Sequence, residues 1–358
     1  MANFSPTIGK IDGIPIELHW SFLALLLVIL VLSLYLFVVW VLLFVCVLAH
    51  ELVHSITSKR NGIPVKKIVL YPFGGGSIID FEKVKPDTEF RISIVGPISS
   101  LLLAAIFGIA NIFAPAGTIG STLQILFVLN LFLGVFNLLP WLPLDGGRAL
   151  RSYLQKKKSH YEATKLAVKS SNIITVLFIA GTILFVIFVK GYSATYREFI
   201  VFVDVIIAMF IYSGAQAELQ VATMRENTAD LKVADATTKN YVLMKNTKTK
   251  GLYDTLLKNK TSIVLFKNGK KVKILSNAAL QKSLKKQSPT NNTNDISVAI
   301  PVVQYDMGLY SAIERMRMGD SGVAAVVKGN KICGVLLAQH IESIMALHMS
   351  KKKEESKS

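Results

Sequence analysis

His50-Glu51-Leu52-Val53-His54 sets two imidazoles four residues apart with a carboxylate between them. A helix turns once in about 3.6 residues, so His50 and His54 project from one face, one turn apart. That spacing lets both hold a single zinc ion. Glu51 would then reach the attacking water as a general base. Residues 37–49, just before the motif, contain no charged side chain. Ionisable groups closing so apolar a run are costly without partners, and in membranes such groups usually carry function. The bland alternative is a helix end snorkelling into lipid headgroups near Lys59. The protease spacing favours chemistry.

A catalytic zinc takes a third protein ligand and keeps one position open. No third histidine follows His54 closely, which excludes the arrangement of many soluble zinc proteases. Asp145 is the candidate, in Asn137-Leu-Leu-Pro140-Trp-Leu-Pro143-Leu-Asp145-Gly146-Gly147-Arg148. Its prolines end an apolar helix, and its paired glycines allow a tight backbone turn past it. Asp145 then sits at the same depth as His50 and His54. By itself Asp145-Gly146 would read as an ordinary turn.

These residues need a scaffold, and the composition points to a membrane. Of 358 residues, 52% are hydrophobic, and the apolar ones dominate up to about Ala217. Six apolar segments are long enough to be read as spans: 18–32, 35–58, 92–113, 119–139, 173–189 and 199–212. The start of the chain does not read as a cleavable signal, because it lacks a basic leader. The net charge is +17, with Lys and Arg concentrated after the second and fourth segments and in the C-terminal third. That pattern predicts a cytosolic face carrying both termini, close to anionic membrane lipid. The same charge could serve nucleic acid, but no motif for that is present, so no nucleic-acid partner is expected. Cys46 and Cys333 lie in unlike regions and predict neither a disulfide framework nor a cysteine zinc site.

Between the second and third segments, residues 67–80 read as two short strands around a turn at Gly74, Gly75 and Gly76. Such a hairpin could dip toward the membrane and pair with an unwound substrate segment as an added strand. Past Glu218 the sequence resembles a soluble protein. Strands are predicted at 264–266, 271–275, 323–327 and 332–337, and helices at 252–258, 278–285, 309–318 and 340–347. Two similar α/β halves flank a polar linker at 288–294, and residues 351–358 read as a charged, disordered tail. His19 beside Trp20 reads as an interfacial anchor. Asp204, inside the sixth segment, reads as a polar contact between helices or a group facing water.

The two motifs together resemble the site-2 protease family of intramembrane metalloproteases. That family's signatures are His-Glu-x-x-His and Asn-x-x-Pro-x-Pro-x-Asp-Gly, here with one extra residue between the prolines. Gly13-Ile-Pro15 to Trp20 and Gly96-Pro97 also look like it. The resemblance covers roughly residues 1–215 and implies a six-helix transmembrane zinc endopeptidase. It implies one zinc held by His50, His54 and Asp145, with Glu51 as base and Asn137 as a substrate or oxyanion contact. A transmembrane protein would be the substrate. Residues 218–350 are similar to a tandem CBS-domain module, as carried by one branch of that family. This implies a cytosolic α/β module, a homodimer through it, and adenine nucleotide as a ligand. The nucleotide motif needs Ser or Thr and then Asp after the second strand of each half. Ser276-Asn277-Ala278-Ala279 lacks the acid, and Ala338-Gln339-His340 lacks both groups. A transporter or channel regulated by its soluble module is the rival reading. It would need polar groups spread along a pathway, whereas here they cluster at one depth.

Overall fold

The computed structural model describes residues 5–72, 74–79, 84–189, 191, 193–244, 263–268, 271–275, 297–329 and 331–355. Two compact units divide the chain, Met1–Ala222 and Thr223–Ser358.

The first unit opens with a hairpin, β1 (Thr7–Ile11) and β2 (Ile14–Leu18). Asp12 and Gly13 form its two-residue turn, both at positive φ (49° and 76°). Such turns match the twist of the flanking strands. β2 pairs in parallel with β3 (Val65–Tyr71), and β3 pairs antiparallel with β4 (Gly74–Ile79). The sheet order is β1-β2-β3-β4, leaving β4 at an edge. Ile14, Ile68 and Leu70 bury one face of this sheet against Phe22, Phe44 and Val47 of the first two helices.

Those helices are α1 (Trp20–Leu32) and α2 (Leu34–Arg60), separated by Ser33 alone. The Ser33 hydroxyl accepts from the Leu36 amide at 3.3 Å and so starts α2. Next come α3 (Pro86–Ile112), α4 (Thr118–Leu138), the short α5 (Asp145–Leu154), α6 (His160–Phe188) and α7 (Ala194–Asn227). Among the described residues, α2, α3, α4, α6 and α7 are long and apolar enough to cross a membrane.

Several expectations need correction. Among the described residues five helices, and not six, are long and apolar enough to span. The 18–32 segment yields only the 13-residue α1, since Leu18 belongs to β2 and His19 caps the helix. Thirteen residues rise about 20 Å, against a hydrocarbon core of about 30 Å. The fifth segment starts earlier than its apolar run, at His160, because Ser159 caps α6 by accepting from the Glu162 amide. The sixth extends through a polar stretch to Asn227. Gly74, Gly75 and Gly76 are strand residues of β4 and do not form the turn. The expectation of a polar contact between helices at Asp204 holds, since Asp204 accepts a hydrogen bond from Thr182 and so joins α7 to α6.

Among the described residues, the second unit holds two four-stranded sheets. The expected strands appear as β7 (Val264–Asn268), β8 (Lys271–Leu275), β11 (Val323–Lys328) and β12 (Lys331–Leu337). The remaining strands are β5 (Thr237–Thr238), β6 (Val242–Met244), β9 (Ser297–Ile300) and β10 (Val302–Gln304), and a short helix α8 (Val233–Ala236) precedes β5. Leu265, Val272, Ile300, Ala325 and Val335 pack the two sheets together. The halves are not independent. β5 precedes the first half yet pairs with β12, and each sheet thus takes an edge strand from the flank of the other half. Helices α9 (Leu309–Met318) and α10 (Ala338–Glu355) cover a second apolar cluster around Val303, Ala324, Val326 and Leu336. α10 continues through Glu355, so the stretch read as a disordered tail begins as helix, in keeping with the helix-forming Lys and Glu there. The expected helices at 252–258 and 278–285, and the linker at 288–294, lie outside the described residues.

Candidate metal centre

His50 and His54 sit on consecutive turns of α2, and Asp145 opens α5. The three converge. The Asp145 Oδ2 lies 3.0 Å from each Nε2, and the two Nε2 atoms are 3.1 Å apart. Ligands of a tetrahedral ion with bonds near 2.0–2.1 Å stand about 3.3 Å apart. The observed triangle is close to one face of that tetrahedron, and both histidines are buried. The donor set of two nitrogens and one oxygen therefore fits zinc with a position to spare.

The orientation of both rings comes from α3. His54 Nδ1 lies 2.7 Å from the Ile92 carbonyl, which can only accept, so the proton resides on Nδ1 and the Nε2 lone pair faces the triangle. His50 Nδ1 lies 2.9 Å from the Ser100 Oγ, and donating to it leaves Nε2 free in the same sense. Gly96 lies midway between these acceptors on the helix. A Cβ there would stand 2.1 Å from the His54 Nε2. Ile92, Gly96 and Ser100 thus form a stripe at intervals of four residues that seats both imidazoles. The sequence contained a signal for this: Gly96-Pro97 interrupts an apolar helix.

Asp145 is delivered by the turn between α4 and α5. Trp141 is fully buried and donates through Nε1 to the Thr175 hydroxyl at 2.9 Å. The Leu142 amide donates to the Ser171 hydroxyl at 2.7 Å. α6 therefore grips this turn. The two glycines after Asp145 are needed for the close approach of α5 to it. A Cβ on Gly146 would lie 2.3 Å from the Leu138 and Leu139 carbonyl oxygens, and one on Gly147 would lie 2.4 Å from the Leu142 amide.

Glu51 follows His50 on α2, and Gly75 of β4 passes over it. A Cβ on Gly75 would lie 2.7 Å from the Glu51 Cγ and 3.3 Å from Val47. The glycine run thus lets an edge strand lie against the helix that carries the carboxylate. Gly74 holds a φ of 143°, and neither Gly74 nor Gly76 meets another group within 4 Å of a Cβ position. Asn137 stands apart from the triangle in its bonding: its amide donates to the Leu133 carbonyl of its own helix at 2.9 Å.

A ring of charges lies beyond the triangle. Arg151 of α5 donates to Glu89 of α3 and, at 2.7 Å, to Glu218 of α7. Arg148 reaches Glu218 at 3.4 Å. Burial would lower the Arg151 pKa, but Glu89 and Glu218 outweigh it and raise the guanidinium above its ordinary value.

Two histidines on a helix of membrane-crossing length and an aspartate on the short α5 beside it define the metal centre of a membrane metalloprotein. Residues 38–116 and 107–181 match Peptidase family M50. The chain is 30% identical over 363 residues to a zinc metalloprotease of Methanocaldococcus jannaschii, covering 99% of both chains. It is 32% identical over 127 residues to stage IV sporulation protein FB of Bacillus subtilis, covering 35% of this chain and 43% of that one. In structure it is similar to the site-2 protease from M. jannaschii, with 36% identity, a TM-score of 0.46, and coverage of 60% of this chain and 95% of that one. A CBS domain protein from Pyrobaculum aerophilum, complexed with AMP, matches 34% of this chain and 99% of its own, at 16% identity and a TM-score of 0.29. With a relative at 30% identity along almost its whole length, the chain belongs to peptidase family M50. It is a membrane zinc metalloprotease.

Proposed function

We propose that this protein is an intramembrane endopeptidase that hydrolyses a peptide bond within a transmembrane segment of another membrane protein. The observation that carries the reading is the triangle of His50, His54 and Asp145 at the end of an apolar helix, with Glu51 beside it under an edge strand. His50, His54 and Asp145 would hold the zinc. Bound zinc supplies Lewis-acid polarisation of the scissile carbonyl and of the attacking water. Glu51 takes the proton from that water and passes it to the leaving amine. Ile92 and Ser100 keep both imidazoles in the tautomer that ligates.

A helical substrate hides its carbonyls in hydrogen bonds, so it must unwind before attack. β4 offers an unpaired strand edge next to Glu51, and an extended substrate segment can add to it. Gly74, Gly75 and Gly76 keep that approach low. Asn137 gives one amide hydrogen to the Leu133 carbonyl, and its second can contact substrate or oxyanion. The Lys and Arg of the connections after α2 and α4 and of the second unit favour a site near the cytosolic face and a cytosolic second unit, and both termini share that side if α1 also enters the membrane. For that unit the sequence supports a CBS-like dimerisation or partner-docking module, and the missing ribose-contacting groups in both halves weigh against adenine nucleotide as its ligand.

The test is to reconstitute the protein in lipid vesicles with single-span membrane proteins and map the cut by mass spectrometry. A scissile bond inside the span supports intramembrane cleavage. Cuts confined to soluble segments would refute it.

A further inference from the structure

The two halves of the metal site come from different elements, and something must hold them at a common spacing. His50 and His54 are seated by α3, through the Ile92 carbonyl and Ser100. Asp145 stands at the start of α5, a helix of only ten residues. Helices shorter than about 12–15 residues are marginal by themselves, so the pose of α5 depends on what it is fastened to. Its second turn carries Arg151, which is 7% exposed and bonded to the equally buried Glu89. Glu89 lies on α3, one turn before Ile92. The same helix thus seats the imidazoles and anchors the helix bearing the aspartate. Glu218 of α7 takes the other arm of Arg151 and also meets Arg148. Two cations and two carboxylates close the cluster with no net charge.

A buried ion cluster of this kind is a weak source of net stability, because desolvation offsets most of the attraction. What it does supply is geometry, since losing one partner strands the rest. The bidentate reach of a guanidinium across two carboxylates fixes orientation as well as distance.

We propose that Arg151, held by Glu89 and Glu218, is the positioning residue for Asp145, setting its distance from the His50–His54 pair. The inference rests on Asp145 being a zinc ligand.

The test is a double-mutant cycle on the full-length protein in detergent. Zinc affinity is read by competition with a chromophoric chelator, and folding by thermal unfolding of the metal-free protein. Arg151→Gln and Glu89→Gln are each measured in the wild-type and Asp145→Ala backgrounds. Glu89→Gln keeps size and a hydrogen-bonding oxygen, so it remains informative where Arg151→Gln fails to fold. Each is expected to weaken zinc binding about 10- to 100-fold in the wild type, as loss of outer partners of a metal site does. In the Asp145→Ala background each should change affinity less than about twofold. Equal losses in both backgrounds, or no loss in the wild type, would overturn the proposal. An Asp145→Ala protein with undiminished zinc affinity would instead remove the ligand reading, and the positioning role with it.

Discussion

Replacing Gly96 by alanine should cripple zinc binding while leaving the fold standing. The added Cβ would lie 2.1 Å from the His54 Nε2, 2.5 Å from its Cε1 and 2.8 Å from its Cδ2. Ordinary carbon contacts lie near 3.5–4.0 Å, so the ring must move by more than an ångström. It cannot do so freely, because Nδ1 is tied to the Ile92 carbonyl at 2.7 Å. α3 cannot withdraw easily either, since Ser100 holds His50 one turn further on. Overpacking of this kind costs about 1–3 kcal/mol. If that strain is released only by turning His54 out of the triangle, zinc affinity falls about 5- to 150-fold, at 1.36 kcal/mol per tenfold. The assay is chelator competition on the purified protein, paired with thermal unfolding without metal. Gly181→Ala is the control, because a Cβ there meets nothing within 4 Å. It should leave zinc affinity unchanged. A Gly96→Ala protein that binds zinc and cleaves as the wild type does would refute the argument that α3 seats His54.

Three further predictions use the same apparatus. Ser100→Ala removes the acceptor of His50 Nδ1 and should weaken zinc binding about 10- to 100-fold with little change in unfolding temperature; unchanged affinity would mean the ring needs no such partner. Gly75→Val should abolish cleavage while sparing zinc, because its side chain would crowd Glu51 and not the triangle, and retained turnover would show that β4 need not lie close to α2. Gly146→Ala should damage both zinc content and thermal stability, since its Cβ would enter two backbone carbonyls, and a stable, zinc-replete variant would contradict the described turn.

The candidate metal triangle was legible in the sequence because its ligands come from two short motifs. His50 and His54 lie one turn apart on the same helix face with Glu51 beside them, and Asp145 sits in a short motif whose prolines and glycines have few structural uses. The second half of the site was not legible. Ser100 and the Ile92 carbonyl act on histidines some forty to fifty positions away, and neither residue type is distinctive in an apolar helix. The Arg151–Glu89–Glu218 cluster was hidden for the same reason, its members reading as ordinary loop and helix-end charges. The β1–β2 hairpin carries a local signal in Asp12-Gly13 between Ile11 and Ile14, a pair that favours a two-residue turn. The glycine run misled in the opposite direction. Three glycines suggest a turn, yet here they form an edge strand because Gly75 must pass close to Glu51. Span boundaries judged by apolarity alone erred where a cap decided the start, at Ser159, or where a strand took the first residue, at Leu18.

The most direct test compares wild type with Glu51→Gln, both loaded with zinc, on a single-span membrane protein. The substitution keeps the ligands and removes only the base. Equal zinc in both, with cleavage by the wild type alone, is the predicted result. Equal cleavage by both would contradict the assignment of Glu51 and the mechanism built on it.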